Sequence, residues 1–106
     1  MGNLLGKLFR GAKPGVLAPT ERLRPGRDVL STEHEDATVL LDLRRQVYLG
    51  IDEVGTVIWR ELERGATCGE IECVLERQYD ADPGVLRSDL RRFVGDLLSR
   101  GLVVPA

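Results

Sequence analysis

The sequence predicts an α+β domain in which a three-stranded antiparallel sheet precedes three α-helices. Short stretches rich in β-branched and apolar residues, joined by short polar connections, fill residues 28–51. From residue 53 onward, apolar residues recur at helical spacing between residues typical of helix caps. Strands followed by helices along one chain are typical of this fold class, and the order matches a winged helix-turn-helix arrangement.

Three strands are expected before the helices. Residues 28–32 follow a Pro-Gly turn signal, and residues 38–42 form a stronger strand pattern. The third strand, residues 46–51, contains β-branched or large apolar side chains at Val47, Tyr48, Leu49 and Ile51. This third strand has no proline, lysine or other charge to guard it against pairing with another chain. It is therefore predicted to be an open edge of the sheet.

Each predicted helix has a start signal, and the first and third also have a stop signal. The expected N-caps are Asp52, Thr67 and Asp82, and the expected stops are Gly65 and Gly101. Thr67 also forms a capping box with Glu70. Trp59 is expected to bury its ring where the sheet meets the helices. The third helix carries a wide apolar stripe, which can face the core on one flank and offer apolar surface on the other.

The charge is unevenly distributed along the chain. Residues 1–27 hold six basic side chains and one acidic side chain, a charge of +5. Since the net charge of the chain is −2, residues 28–106 carry −7. The acidic remainder argues against general nucleic-acid binding, which requires a positive surface. Residues 1–21 are predicted to be a flexible tail outside a domain of residues 22–106. An alternative is that the apolar residues of this tail form a short amphipathic foot for a membrane surface or a partner protein.

The sequence gives little support to catalysis. His34, the only histidine, is expected in a polar turn, and neither a metal-ligand set nor a phosphate-binding loop is present. Cys68 and Cys73 are poorly spaced for a disulfide and are interpreted as free thiols, Cys73 in the core and Cys68 near a helix start. No signal peptide or membrane span is recognised, so a cytoplasmic protein is expected. A non-catalytic binding module without metal or cofactor is the resulting prediction.

The motifs together resemble those of PqqD-like proteins, the recognition elements that bind leader peptides in ribosomally made, modified peptide pathways. The run YLGIDEVG at residues 48–55, followed by Ile58-Trp59, resembles their signature. Further matches in the same order are Gly65-Ala66-Thr67 with Glu70-Ile71, Tyr79-Asp80-Ala81-Asp82, Asp89-Leu90 with Phe93, and Gly101-Leu102-Val103. Asp52 and Ile51 stand where the family commonly has Asn and Leu. The resemblance covers roughly residues 25–104 and is greatest to the stand-alone leader-binding proteins of lasso-peptide biosynthesis.

The resemblance implies that a leader peptide adds as a strand beside residues 46–51 and lies against the third helix. Strand addition of this kind takes affinity from main-chain hydrogen bonds and register from side-chain pockets. The candidate peptide-binding residues are Val47, Tyr48, Leu49, Leu86, Asp89, Leu90, Phe93 and Leu97. Alternation puts Val47 and Leu49 on one face and Tyr48 on the other. The apolar candidates of the third helix could equally be core residues, which leaves two readings open.

The implied partners are the leader region of a precursor peptide, a separate leader peptidase and a macrocyclase. A winged-helix DNA-binding protein is an alternative, since the third predicted helix contains Arg87, Arg91, Arg92 and Arg100. An accessory protein of a radical enzyme in quinone-cofactor synthesis is another. An unguarded edge could also pair with its own copy and give a homodimer.

Overall fold

The structure is a computed structural model that describes residues 21–106. The predicted tail, residues 1–21, lies outside the described residues except for Glu21. Within the described chain, the strands are β1 Leu23–Pro25, β2 Val29–His34, β3 Ala37–Asp42, β4 Val47–Ile51 and β5 Val103–Pro105. The helices are α1 Glu53–Glu63, α2 Cys68–Gln78 and α3 Pro83–Ser99.

The predicted antiparallel sheet is confirmed, with the order β2-β3-β4. β2 runs two residues beyond the predicted end at residue 32, because Glu33 and His34 still pair with β3. The hairpin turn therefore contains only Glu35 and Asp36, and Glu35 has a φ of 57°. The expectation that His34 lies in a polar turn is wrong, because His34 is the exposed last residue of β2.

A second sheet, which the sequence did not predict, joins the two ends of the described chain. β1 and β5 pair antiparallel, with Leu23 opposite Pro105. The Leu23 side chain is fully buried in the core. The stretch around β1 had been interpreted only as a Pro-Gly turn. β1 is a strand because it pairs with β5, whose residues lie about 80 positions later in the chain, as in the pair of Arg24 with Val104. The local sequence around β1 does not reveal this partner.

All three predicted helices and their caps are confirmed. The Asp52 carboxylate accepts the Gly55 N–H at 2.9 Å at the start of α1. Thr67 and Glu70 form the expected capping box before α2, and Asp82 accepts the N–H of the third residue of α3. Positive φ values of 81° at Gly65 and 74° at Gly101 follow the ends of α1 and α3, a backbone conformation that favours glycine.

The core lies between the three-stranded sheet and the helices. Trp59 is 1% exposed, which confirms its predicted burial. A hydrogen bond between the buried Thr38 and Thr56 hydroxyls, 2.9 Å long, ties β3 to α1. Leu23, Leu40, Ile51, Ile58, Leu62, Ile71, Leu75, Leu90, Phe93, Val94 and Leu97 complete the largest buried side chains.

The expectation that Cys73 belongs to the core is wrong, because Cys73 is exposed and Cys68 is buried. The buried stripe of α2 runs through Cys68, Ile71 and Leu75, and residue 73 falls on the opposite face of the helix. Burial raises the pKa of the Cys68 thiol. A raised pKa disfavours the reactive thiolate, so Cys68 is a packing residue.

Candidate peptide-binding groove

β4 is an edge strand of the three-stranded sheet. One side of β4 pairs with β3, in a register that sets Leu49 opposite Leu40 and Tyr48 opposite Leu41. No strand of the described chain lies along the other side of β4. The outward N–H and C=O groups of β4 are therefore available to an additional strand, as the absence of guarding charges had indicated.

The side chains of β4 alternate between two environments. Leu49 is half-buried and packs against the core, whereas Tyr48 is 77% exposed on the outer face of the sheet. Val47 lies two residues before Leu49, on the same face of the strand, and is 52% exposed. The strand thus presents two apolar side chains toward the helices and an aromatic side chain outward.

A groove of about 300 Å³ lies between β4 and the C-terminal end of α3. Its β4 wall consists of Val47, Tyr48 and Leu49. The opposite wall consists of Ser99 and Arg100, and the apolar side chains of Leu40 and Leu102 also line it. The groove therefore combines an apolar lining with an open strand edge and one guanidinium-bearing residue on the far wall.

Asp42 and Arg45 close one end of the groove. The Asp42 carboxylate is 5% exposed and accepts the backbone N–H groups of Arg44 and Arg45 at 3.0 and 3.2 Å. The Arg45 guanidinium donates to the same carboxylate at 3.0 Å and to the Arg100 carbonyl. This three-residue brace, Asp42–Arg45–Arg100, ties the turn between β3 and β4 to the end of α3. It thereby fixes the distance between the two walls.

The brace controls the ionisation of its carboxylate. Desolvation of Asp42 disfavours its charged form, but hydrogen bonds from Arg45 and Arg44 outweigh that effect and hold the pKa of Asp42 below its ordinary value. The neighbouring Arg100 side chain donates to the buried Asp96 carboxylate at 2.8 Å. Both walls are therefore held by charge-assisted hydrogen bonds.

The structure separates the candidate residues of α3 from the groove lining. Leu86, Leu90, Phe93 and Leu97 are each at most 5% exposed and belong to the core, and Asp89 is half-buried. The sequence left open whether these four apolar residues belong to the core or to the groove. They belong to the core and support the helix that forms the groove wall. Val47, Tyr48 and Leu49 line the groove from β4.

Sequence reasoning missed the residues at the end of the groove. A pair of arginines between two strands, such as Arg44 and Arg45, is more typical of a solvated turn than of an anion site. The available signal was Asp42 at the end of a strand, two and three residues before the N–H groups that it accepts, a typical Asx-turn arrangement. The contribution of Arg100 had no local signal, because its carbonyl meets Arg45 only through the tertiary fold.

The groove can hold an extended chain, but it lacks a reactive set among the described residues. No group of three or more His, Cys, Asp or Glu side chains in residues 21–106 could hold a metal ion. None of the described helices is sufficiently long and apolar to cross a membrane. The chemistry available at the groove is hydrogen bonding by the β4 backbone, apolar contact and attraction of anions by guanidinium groups.

Comparison with known proteins identifies the fold and the family. The model of the family described as Coenzyme PQQ synthesis protein D (PqqD) matches residues 37–103. The solved structure of TbiB1 in complex with the TbiA(beta) leader peptide is 34% identical, with a TM-score of 0.72 and coverage of 76% of this chain and 93% of that chain. Lasso peptide synthetase B1 complexed with its leader peptide is 20% identical, with a TM-score of 0.71 and coverage of 78% and 98%, and shares the fold. No curated protein matches the chain. The chain belongs to the PqqD family.

Proposed function

We propose that this protein is a non-catalytic leader-peptide-binding protein of lasso-peptide biosynthesis. It captures the leader of a ribosomal precursor peptide by adding it as a strand to β4. The observation that carries the proposal is the unpaired edge of β4 beside an apolar groove. The likeness to TbiB1, whose solved structure contains the TbiA(beta) leader peptide, supports it.

The groove suits recognition of an extended peptide. Main-chain hydrogen bonds to β4 supply affinity that is independent of sequence, and alternate peptide side chains enter the groove and supply register. Val47 and Leu49 contact these side chains from the strand, and Tyr48 covers the peptide from the outer face. The antiparallel order of the existing sheet favours antiparallel addition, because such pairs are slightly more stable per residue.

The proposed binding residues of α3 act at two levels. The buried residues hold the helix against the core, so that the wall at its C-terminal end stays in place. Asp89, which is half-buried, remains a candidate for direct contact with the leader. The buried set is Leu86, Leu90, Phe93 and Leu97.

The captured leader is delivered to separate enzymes, a leader peptidase and a macrocyclase, in the cytoplasm where precursor peptides are made. A homodimer through the β4 edge is the competing use of the same backbone groups. Leader binding then displaces the second copy, and sedimentation with and without peptide detects the change.

The two alternatives have weaker support. In a DNA-binding reading the arginines of α3 would face phosphates, but Arg87 donates to Glu72 at 2.8 Å and Arg100 to Asp96. An accessory role in quinone-cofactor synthesis corresponds to the family's description, whereas the 34% identity to TbiB1, solved with a leader peptide, favours the leader-binding role. The genes beside that of this chain distinguish the two.

The test is a titration of the full chain with a labelled leader from the neighbouring precursor gene. Val47→Asp places a charge in the groove, and Leu30→Asp on β2 is its control, because these side chains are 52% and 54% exposed. Leu30 lies on β2, at the opposite edge of the sheet from β4, and does not line the groove. Lost apolar contact and desolvation of the new carboxylate together weaken binding by tenfold or more for Val47→Asp, since about 1.4 kcal/mol corresponds to a factor of ten.

Two results would contradict the proposal. One is the absence of saturable binding to every leader encoded beside the gene. The other is equal affinity of the Val47→Asp and Leu30→Asp proteins, which would put the binding site elsewhere. Circular dichroism of both variants confirms that the fold is retained before affinities are compared.

A further inference from the structure

A second cleft, of about 610 Å³, adjoins the groove at Asp42 and Arg45. The connection between β1 and β2, the turn between β3 and β4, and Gly101 after α3 surround it. Its charged residues are Arg24, Arg27, Asp28, Asp42, Arg44 and Arg45. Four arginines against two aspartates give this basic cleft a formal charge of +2. The described chain as a whole is acidic, since residues 1–20 hold three of the basic side chains and residues 21–106 therefore carry −5.

Most of the positive charge in the basic cleft is unpaired. Arg45 is held by Asp42 and the Arg100 carbonyl. The guanidinium groups of the other three, Arg24, Arg27 and Arg44, have no hydrogen bond or ion pair with any other described residue. The Asp42 carboxylate is already engaged by two N–H groups and by Arg45. The cleft is therefore available to an incoming anion.

The position of the basic cleft gives the β4 edge an electrical polarity. Arg44 and Arg45 precede the Val47 end of β4, whereas Asp52 and Glu53 follow the Ile51 end. A peptide that adds antiparallel to β4 runs from the Ile51 end to the Val47 end. Its residues C-terminal to the docking strand leave the groove beside Arg45 and meet the basic cleft.

We propose that the leader peptide carries acidic residues immediately C-terminal to its docking strand, and that Arg24, Arg27 and Arg44 bind their carboxylates. This inference rests on the proposed leader-binding function and its antiparallel direction, and adds the chemical class of the flanking segment. The planar guanidinium fork matches a carboxylate, and three such groups around one cleft tolerate variation in the exact position of the acid. The polarity of the edge also disfavours the reversed peptide, which would bring its acids to Asp52 and Glu53.

The experiment compares three peptides and three proteins. The peptides are the leader of the neighbouring precursor, the same leader with the acids of the C-terminal flank replaced by their amides, and a leader with those acids moved to the N-terminal flank. The proteins are the wild-type chain, the triple variant R24Q/R27Q/R44Q and the control R64Q/R77Q. Arg64 and Arg77 lie at a separate cleft between α1 and α2 that shares no residue with the groove or the basic cleft.

Exposed ion pairs each change affinity by up to about fivefold, so the triple variant is expected to bind the natural leader roughly tenfold more weakly than wild type. The amide peptide is expected to bind wild type and triple variant with the same reduced affinity. The natural leader alone loses affinity steeply between about 50 mM and 500 mM salt, because the contact is exposed to screening. The control R64Q/R77Q binds as wild type does.

Equal affinity of wild type and triple variant for the natural leader overturns this inference while leaving the leader-binding function intact. Tighter binding of the peptide with acids on its N-terminal flank overturns the proposed direction. A natural leader without acidic residues in its C-terminal flank overturns the inference itself. Failure of all three peptides to bind wild type contradicts the leader-binding function itself. The peptide series on the wild-type protein keeps the test decisive even where an arginine variant folds poorly.

Discussion

The hydroxyl pair between β3 and α1 yields a quantitative stability prediction. Thr38 and Thr56 are 0% and 2% exposed, and their oxygens lie 2.9 Å apart, with either able to donate. The pair connects the middle strand of the sheet to the helix that follows β4. Replacing threonine by valine preserves the shape of the side chain and removes the hydroxyl, which isolates the hydrogen bond from the packing around it.

The two single substitutions are expected to differ in their effects. Thr56→Val leaves the Thr38 hydroxyl buried on a strand without its partner, which costs about 1–3 kcal/mol. Thr38→Val costs less, about 1 kcal/mol, because a helical threonine can turn its hydroxyl to the carbonyl four residues earlier. That carbonyl is Asp52, which already accepts the Thr56 N–H at 2.8 Å. The double variant leaves no buried hydroxyl without a partner. Its free energy of unfolding should therefore lie within about 0.5 kcal/mol of the wild-type value.

Urea denaturation followed by circular dichroism measures these free energies. The slope with denaturant should be unchanged, so that shifts of the midpoint report stability directly. The three variants form a double-mutant cycle, and the stated losses correspond to a coupling of about 2–4 kcal/mol. A double variant whose destabilisation equals the sum of the two single variants would refute the argument. Equal losses for the single variants would refute the role assigned to the Asp52 carbonyl.

Two further predictions concern the chain ends and the brace. Leu23→Ala should lower the free energy of unfolding by about 2–5 kcal/mol, because Leu23 is 0% exposed, whereas Leu30→Ala at a 54% exposed position should change it little; equal effects in urea denaturation would refute the burial of β1. The lowered pKa of Asp42 implies a stabilisation that is fully present above the ordinary carboxyl pKa and is lost as pH falls through the folded-state value. Thermal melts across the acid range should therefore show a steeper loss of stability for wild type than for Asp42→Asn, and parallel curves would exclude the effect.

Local signals explain how much of the fold the sequence predicts. The side chains of Asp52, Thr67 and Asp82 each accept an N–H group only three residues away, so the sequence alone predicts these caps. The open edge of β4 is equally local, because it depends on the absence of charges and proline within one strand. Pairing between β1 and β5 requires two segments at opposite ends of the domain to meet, and neither three-residue strand has a pattern of its own.

The α3 side of the groove illustrates a second limit. A wide apolar stripe indicates that a helix is amphipathic, but it does not reveal which neighbours cover each part of the stripe. Leu90, Phe93 and Leu97 are fully covered by the core, and Phe93 packs so closely on α1 that a Cβ at Gly55 would lie 3.3 Å from its ring. The groove wall instead comes from Ser99 and Arg100, where the helix ends. The side of a helix that meets a ligand is thus set by its packing partners.

The same packing couples the chain ends to the groove. Gly26 after β1 donates its N–H to the Leu102 carbonyl at 2.9 Å, and a Cβ at Gly26 would lie 2.9 Å from the Gly101 carbonyl oxygen. The residues that end α3 are thereby held between β1 on one side and Arg45 on the other. Since Arg100 forms part of the groove wall, loosening β1 should displace that wall as well as lower stability. The groove therefore depends on β1, the turn before β4 and the end of α3, which meet only in the folded protein. For this reason the sequence predicts the open strand but not the wall opposite it.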